Sequence, residues 1–467
     1  MRHSLLALCC LCPATAWGQA LPGEMARQVD AVFADYDRTD APGCVVGIYR
    51  DGQVAYARGY GMANLELGMA LGPQSVLDIG STSKQFAAFA IALLEQEGKL
   101  DRRDPVRRYV PELGPVADGV TIEQLLQHTS GLRDYLVLMH LAGWRTEDWT
   151  DANDALAIIA RQRGANFAPD AEFLYSNTGY FLLSVIVERV SGESLRAFAA
   201  RRIFAPLGMR TSHFHDDHGM VVVGRATAYA PRPDGSYAIE MSNFEQTGDG
   251  AVLTSVEELL RWDTNFYTGT VGGKELVAGQ QVPGALANGS PIDYASGLFI
   301  STHRGQRTVS HGGAWAGYRA ELLRFPEQRT AIAVLCNRAD AAPTRRAEAV
   351  AGVVLADVLG PTGSTAAPRA PREAPVFVTL PAATLAAYVG TYTSSELDAT
   401  WRLQADSAGI RVTVRGRPLG TFRPTGRDTM VDGVGIMLRA TRGARGGVTG
   451  FAVEAGRVRG IRFTRVP

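Results

Sequence analysis

The stretch that most constrains this chain is Phe86-Ala87-Ala88-Phe89-Ala90-Ile91-Ala92-Leu93-Leu94, which is apolar on nearly every side. A helix of that kind has to be covered all round, so the fold must place layers on both sides of it. Just before it stand Gly80-Ser81-Thr82-Ser83-Lys84. Positions i and i+3 share a helix face, which sets the Ser81 hydroxyl beside the Lys84 amine. A lysine at the head of a buried helix is costly unless it is partnered or gives up its proton.

Among the 47 Lys plus Arg residues only three are lysines: Lys84, Lys99 and Lys274. Arginine keeps its proton in a protein, whereas a buried lysine can lose it. A titratable amine beside a serine points to an activated nucleophile. An isolated Ser-x-x-Lys is a common accident, so the inference needs partners elsewhere in the chain.

A length of 467 residues allows two or three domains. Hydrophobic residues make up 46% and charged residues 20%, an ordinary globular mix with material for a large core. The formal net charge of zero gives no chain-wide basic field, so nucleic acid is not expected as a partner. Residues 1–20 read as a secretory signal: Arg2 and His3 precede an apolar run from Leu5 to Leu11, and Ala16-Trp17-Gly18 and Gly18-Gln19-Ala20 offer small residues for cleavage. Cys9, Cys10 and Cys12 lack the small residue that usually precedes a lipidated cysteine. No other run is long enough for a stable membrane span. A periplasmic or secreted protein is expected. Past the signal, Cys44 and Cys336 remain. One opens a strand and the other closes one, so a disulfide and two buried free thiols are both compatible with the sequence.

In chain order, Glu24 to Tyr36 has helical spacing. Cys44 to Tyr49 and Gln53 to Arg58 read as a hairpin around Arg50-Asp51-Gly52. Thr121 caps a short helix that ends at His128. Residues 150–165 and 179–201 read as helices, and a glycine-rich turn at Thr247-Gly248-Asp249-Gly250 leads into another. Ser296–Thr302, Thr308–His311, Tyr318–Phe325 and Thr330–Cys336 read as antiparallel strands, followed by a helix from Thr344 to Leu359. Residues 361–378 read as a Pro/Ala-rich linker. Beyond it, six runs alternate at strand period: Ala387–Tyr392, Thr400–Gln404, Ile410–Val414, Gly435–Leu438, Gly450–Val453 and Val458–Thr464. They predict a small all-β module.

Two further stretches complete a constellation with Ser81 and Lys84: Tyr175-Ser176-Asn177 and His311-Gly312-Gly313. In order and spacing, these three motifs resemble those of the serine β-lactamase and penicillin-binding-protein superfamily. The branch is the class C-like one, which holds D-aminopeptidases, D-stereospecific peptidases and related esterases. Leu125-Leu126-Gln127-His128-Thr129-Ser130-Gly131-Leu132, Pro206-Leu207-Gly208-Met209 and Gly248 to Trp262 are also similar to that family. The last segment, with Tyr388-Val389-Gly390-Thr391-Tyr392, resembles the lipocalin-like barrel appended to some of these peptidases.

The resemblance implies an α+β fold: an antiparallel sheet flanked by helices plus an all-α region at residues 21–360, then a lipocalin-like β-barrel at 379–467. It implies an acyl-enzyme on Ser81, with Lys84 or Tyr175 as the general base. Asn177, His311, Gly312 and Gly313 would bind and orient substrate, and the backbone N–H groups of Ser81 and Ala314 would form the oxyanion hole. No cofactor is implied. The expected partner is a small-molecule or peptide substrate, cell-wall-derived fragments included, and the sequence does not fix the oligomeric state.

One departure matters. Many relatives carry Lys-Thr-Gly where His311-Gly312-Gly313 stands. Histidine is only partly charged near neutral pH, so strong β-lactam hydrolysis and carboxylate recognition by this motif are not expected. The reading favours a peptidase or esterase of the D-amino-acid type. The alternative is a penicillin-binding protein, or weak β-lactamase, that acylates with little turnover. A rival site, His213-Phe214-His215-Asp216-Asp217-His218, has metal-like composition, but it reads as a polar loop and no metal ligand is assigned. The pocket walls are expected from the loops Leu136–Trp149 and Val271–Asn288.

Overall fold

Residues 20–361 and 375–467 are described in a computed structural model of the chain. All but the last residue of the expected signal peptide, and the centre of the expected linker, lie outside the described residues.

The apolar run forms a helix covered on every side, and the layers that cover it follow from the sheet. The main sheet uses β1 (Cys44–Arg50), β2 (Gln53–Tyr60), β3 (Phe299–His303), β4 (Gln306–Trp315), β5 (Tyr318–Phe325) and β6 (Thr330–Cys336), in the order β3-β4-β5-β6-β1-β2. Every pairing is antiparallel. Strands from both ends of the domain therefore meet at β1 and β6. There Cys44 and Cys336 face each other in register and form a disulfide, with Cα atoms 4.0 Å apart. Of the two states open from sequence, the bonded one is present.

The helices that matter to the site are α1 (Gly23–Val32), α2 (Lys84–Gln96), α3 (Tyr135–Leu141), α4 (Asn177–Ser191), α5 (Val256–Thr268) and α6 (Pro343–Val354). On one face of the sheet, Val29 and Phe33 pack with Val46, Ile48, Ile332 and Val350, which seats α1 and α6 there. On the other face lie α5 and the helical region around α2 and α4. The α2 side chains from Lys84 to Ile91 are all buried. A polar network holds the head of α2: Arg324 pairs with Asp263 at 2.9 Å, and the Gln85 Oε1 accepts from Trp262 and Arg324. Both ion-pair partners are 1% exposed.

Some helices differ in extent from the sequence reading. The expected helix at 150–165 runs only over Ala152–Ala160. The expected helix at 179–201 is interrupted after Ser191, where Gly192 takes a left-handed conformation.

The C-terminal strands form a closed barrel: β7 (Gly390–Ser394), β8 (Ala399–Asp406), β9 (Gly409–Val414), β10 (Arg417–Pro424), β11 (Thr429–Val431), β12 (Met437–Arg442), β13 (Val448–Ala455) and β14 (Val458–Arg465). Its interior is filled by aromatic rings. Trp401 and Phe463 have centroids 4.3 Å apart, and Tyr392 and Phe451 4.9 Å. β10 and β11 are additions to the six strands read from sequence.

The barrel docks on the helical region. Arg133 and Glu396 make a 2.7 Å ion pair that is nearly buried, at 6% and 11% exposure. The Trp401 indole donates to the Leu141 carbonyl at the end of α3. The Arg133 Nε donates to the Arg459 carbonyl, and Asn166 bonds the backbone at Arg457 and Arg459.

Candidate active site

Ser81 does not sit in an α-helix. Gly80–Ser83 is a 3₁₀ turn that runs directly into α2. In a 3₁₀ turn, side chains at i and i+3 eclipse, which brings the Ser81 hydroxyl over the Lys84 amine. Lys84 Nζ lies 3.1 Å from Ser81 Oγ.

The turn is pressed against β4. Gly80 has φ +49°, and a Cβ there would come within 2.6 Å of Ala314 N. A Cβ on Gly313 would lie 1.9 Å from the Ile79 carbonyl oxygen. Only glycine fits either place. The Thr82 hydroxyl also donates to the His311 carbonyl at 3.0 Å. The backbones of Ser81 and Ala314 are thereby brought together at the mouth of one cavity of about 1170 Å³.

Lys84 is fully buried. Its Nζ donates to Asn177 Oδ1 at 2.9 Å and to the backbone carbonyl of Asp249. Burial pushes its pKa down to about 7, against the opposing pull of Asp249 and Asp134. Asn177 opens α4 and is itself clamped: its backbone and side-chain amides both donate to Asp134 Oδ2, at 2.8 and 2.9 Å. Asp134 also caps α3 by accepting from Val137 N. The carboxylate of Asp249 accepts from Tyr135 at 3.1 Å, and burial holds its pKa above the usual carboxylate range.

Tyr175 stands beside this group, with its ring centroid 4.9 Å from Lys84 Nζ. Burial raises its phenol well above the ordinary value, while Arg457 pulls the other way. The His128 ring packs on it at 4.1 Å, and its own Nδ1 accepts from Ser176 N. His311 is buried in an aromatic nest with Tyr294, Phe299 and Tyr175. Its Nδ1 faces the Gly312 carbonyl at 2.6 Å, and its Nε2 accepts from Tyr294 at 3.0 Å. Burial lowers its pKa to about 3, so the ring is neutral at physiological pH.

Ser81, Lys84, Tyr175, Asn177, His311, Gly312, Gly313 and Ala314 therefore all converge, the first and the last six lining or edging the cavity above Ser81. Of the two segments expected as loops to wall it, the first does so through Leu136, Val137 and His140, which lie on helix α3 and not on a loop. Among the described residues, none from 271–288 lines it. The histidine-rich stretch is divided: the His213 and His215 rings pack together with centroids 5.6 Å apart. His213 faces the Thr211 carbonyl, His215 meets Arg225, and Asp216 pairs with Arg196. Asp217, His218 and Glu245 do lie within 4.8 Å of one another, and His218 is already hydrogen-bonded to Glu245.

The profile of the Beta-lactamase family matches residues 29–356. The chain belongs to that family. It is 33% identical over 310 residues to penicillin-binding protein 4* of Bacillus subtilis, covering 62% of this chain and 66% of that protein. It is 32% identical over 328 residues to a D-aminopeptidase of Cereibacter sphaeroides, covering 68% of this chain and 60% of that protein. The chain thus spans just under two thirds of the length of these curated relatives. An octameric penicillin-binding-protein homologue from Pyrococcus abyssi has the same fold, with a TM-score of 0.63 and 23% identity over 95% of this chain and 99% of that one.

Four contributors to this family site were not singled out from the sequence for it: Asp134, Asp249, Tyr294 and Arg457. Arg457 comes from the turn between β13 and β14. Its guanidinium lies 4.7 Å from the Tyr175 ring centroid and 3.5 Å from the Asp134 carboxylate. A fixed cation therefore does stand at the site, supplied by the barrel and not by the third motif. No sequence signal pointed to it, because its neighbours are set by docking between two domains.

Proposed function

We propose that this protein is an exported serine hydrolase that acts through an acyl-enzyme on Ser81. The observation that carries the reading is the buried Lys84 amine, 3.1 Å from Ser81 Oγ and held by Asn177 and the Asp249 carbonyl. A lysine whose pKa is brought down to about 7 has a neutral fraction able to take the serine proton. Tyr175, with its phenol raised by burial, stays protonated at neutral pH and offers little phenolate to act as a base. Lys84 is therefore the base in this reading.

The Ser81 Oγ attacks the substrate carbonyl as its proton passes to Lys84. The oxyanion settles between the N–H groups of Ser81 and Ala314, each such donor contributing roughly 3 kcal/mol to lowering the barrier. Collapse expels an amine or alcohol, which takes the proton that Lys84 accepted from Ser81. Water then hydrolyses the ester and regenerates Ser81. Asn177 and the glycine pair at 312 and 313 position the substrate.

The substrate class is an amide or ester of the D-amino-acid type. Similarity to a D-aminopeptidase supports it. So does the neutral ring of His311 in place of a third-motif lysine. Export is supported by the signal-like residues 1–20 and by the Cys44–Cys336 disulfide, which is at home in an oxidising compartment.

The test is a panel of D-amino-acid amides, p-nitrophenyl esters and nitrocefin, applied to the wild type and Ser81→Ala. Amide or ester turnover that disappears in Ser81→Ala is expected, with nitrocefin a poor substrate. Turnover that survives in Ser81→Ala and is lost to a chelator would overturn the reading. Similarity to penicillin-binding protein 4* favours one second reading, slow turnover of a stable adduct. Intact mass after incubation with a β-lactam separates the two.

A further inference from the structure

The cavity above Ser81 has a wall that the chemistry does not use. Helix α3 turns Tyr135, Leu138, Met139 and Leu141 into the core. Its other side carries Leu136 and Val137, which are half-buried and line the cavity. A helix facing only water would carry polar residues there. Phe244 and Trp315 line the same cavity, also half-buried, with ring centroids 5.6 Å apart. A hollow of about 290 Å³ shares Leu136, His140, Phe244 and Trp315 with this cavity and adds Met139 and Trp144. Arg145, Thr146 and Glu147 stand at its polar side. The apolar wall therefore extends to Met139 and Trp144, where polar residues take over.

The barrel closes a further side. Val434 and Ile436 lie in the turn between β11 and β12 and line the cavity. Val434 is 81% exposed. Its turn is held by Asp432 Oδ1, which accepts from Val434 N at 3.0 Å and from Ile436 N at 2.8 Å. A largely exposed valine on a turn held by Asp432 is placed to pack against an apolar group that enters the cavity.

We propose that Leu136, Val137, Phe244, Trp315, Val434 and Ile436 form one side-chain pocket shared by the two domains, and that the substrate of Ser81 carries a bulky apolar or aromatic group that fills it. The inference rests on the serine-hydrolase reading and adds the substrate's side-chain class to it. The site residues described above account for bond cleavage, and none of them selects a side chain. This pocket does so. Desolvation lowers the pKa of His140, at its edge.

The measurement is kcat/KM for the amides of glycine, D-alanine, D-leucine and D-phenylalanine. Each methylene that enters an apolar pocket is worth about 10- to 200-fold in discrimination. The D-phenylalanine amide should therefore exceed the D-alanine amide by at least about tenfold. Val434→Asp and Leu136→Asp, checked for folding by thermal melts, should each reduce that ratio by about tenfold. The two variants sit in different domains, so a misfolded barrel alone cannot account for both effects.

A wild-type ratio at or below one overturns the pocket and leaves the hydrolase reading standing. So does a ratio that both variants retain. If no amide is turned over, inactivation by benzyl- and methylphosphonofluoridate replaces the panel, with faster labelling of Ser81 by the benzyl reagent expected. Equal rates overturn the pocket. No labelling of Ser81 by either reagent overturns the hydrolase reading and the pocket with it.

Discussion

At the scale of single residues, the proposed chemistry turns on the charge state of Lys84. Lys84 is stripped of water and left with neutral acceptors, the Asn177 amide oxygen and the Asp249 carbonyl, as its close partners. In the proposed reaction the neutral amine is the base, so on that reading activity requires Lys84 to lose its proton. On this basis kcat/KM rises with pH through about 7 and flattens above it. Asp249 titrates beside it, so the limb belongs to the pair and not to either group alone. A pH–rate profile flat between pH 5.5 and 8.5 would count against Lys84 as base. Arg457 acts on Tyr175 from outside the domain. Its carbonyl, not its side chain, accepts from Asn166 Nδ2 at 2.9 Å, so Arg457→Ala keeps the docking bond. A cation over an aromatic face is worth about 0.5–2 kcal/mol. Arg457→Ala should therefore lower kcat/KM by roughly 3- to 30-fold with little change in melting temperature, and Arg457→Lys should recover part of the loss. Equal losses in both variants would mean that charge is not what Arg457 contributes.

At the scale of elements, the placement of α2 depends on a charge pair behind it. Arg324 and Asp263 are both 1% exposed, and Arg324 also donates to the side chain of Gln85, the residue after Lys84. Removing one partner strands the other charge in the interior. Arg324→Met should cost about 3–5 kcal/mol in denaturant unfolding, and Arg324→Met with Asp263→Leu should recover much of that. Two equally unstable variants would mean that packing, not charge, holds this corner. Much of this level was legible in the sequence. The apolar run of α2, the four closing strands of the sheet and the Asp51-Gly52 hairpin each carry their own period or turn signal. β10 was not legible: Pro418, Gly420 and Pro424 break its pattern, and within it only Phe422 and Pro424 are buried. The three motifs were legible because each packs its chemistry into a few adjacent residues. Asp134 and Asp249 were missed because their roles come from what α3 and the 247–251 turn meet across the fold. The disulfide was undecided because register between β1 and β6 is a property of the assembled sheet.

At the scale of the whole molecule, the barrel is part of the site, and its attachment has a graded structure. At the centre lies the Arg133–Glu396 pair, 6% and 11% exposed, with Gln162 bonded to both. Toward the rim lies Arg417–Asp148, at 44% and 20% exposure. Physical chemistry assigns these pairs different weights. Glu396→Ala leaves the Arg133 guanidinium in a nearly dry place and should cost roughly 3 kcal/mol. Asp148→Ala exposes a charge that water can solvate and should cost under about 1 kcal/mol. Because Arg133 Nε also holds the Arg459 carbonyl, two residues from Arg457, loss of Glu396 should also loosen the turn that presents Arg457 to Tyr175. Glu396→Ala is therefore expected to lower stability and kcat/KM together, and Asp148→Ala neither. Measured side by side, equal effects from the two substitutions would mean that the barrel is held mainly by its apolar contacts, such as Val414 against Gly143, and that the buried ion pair is incidental to the site.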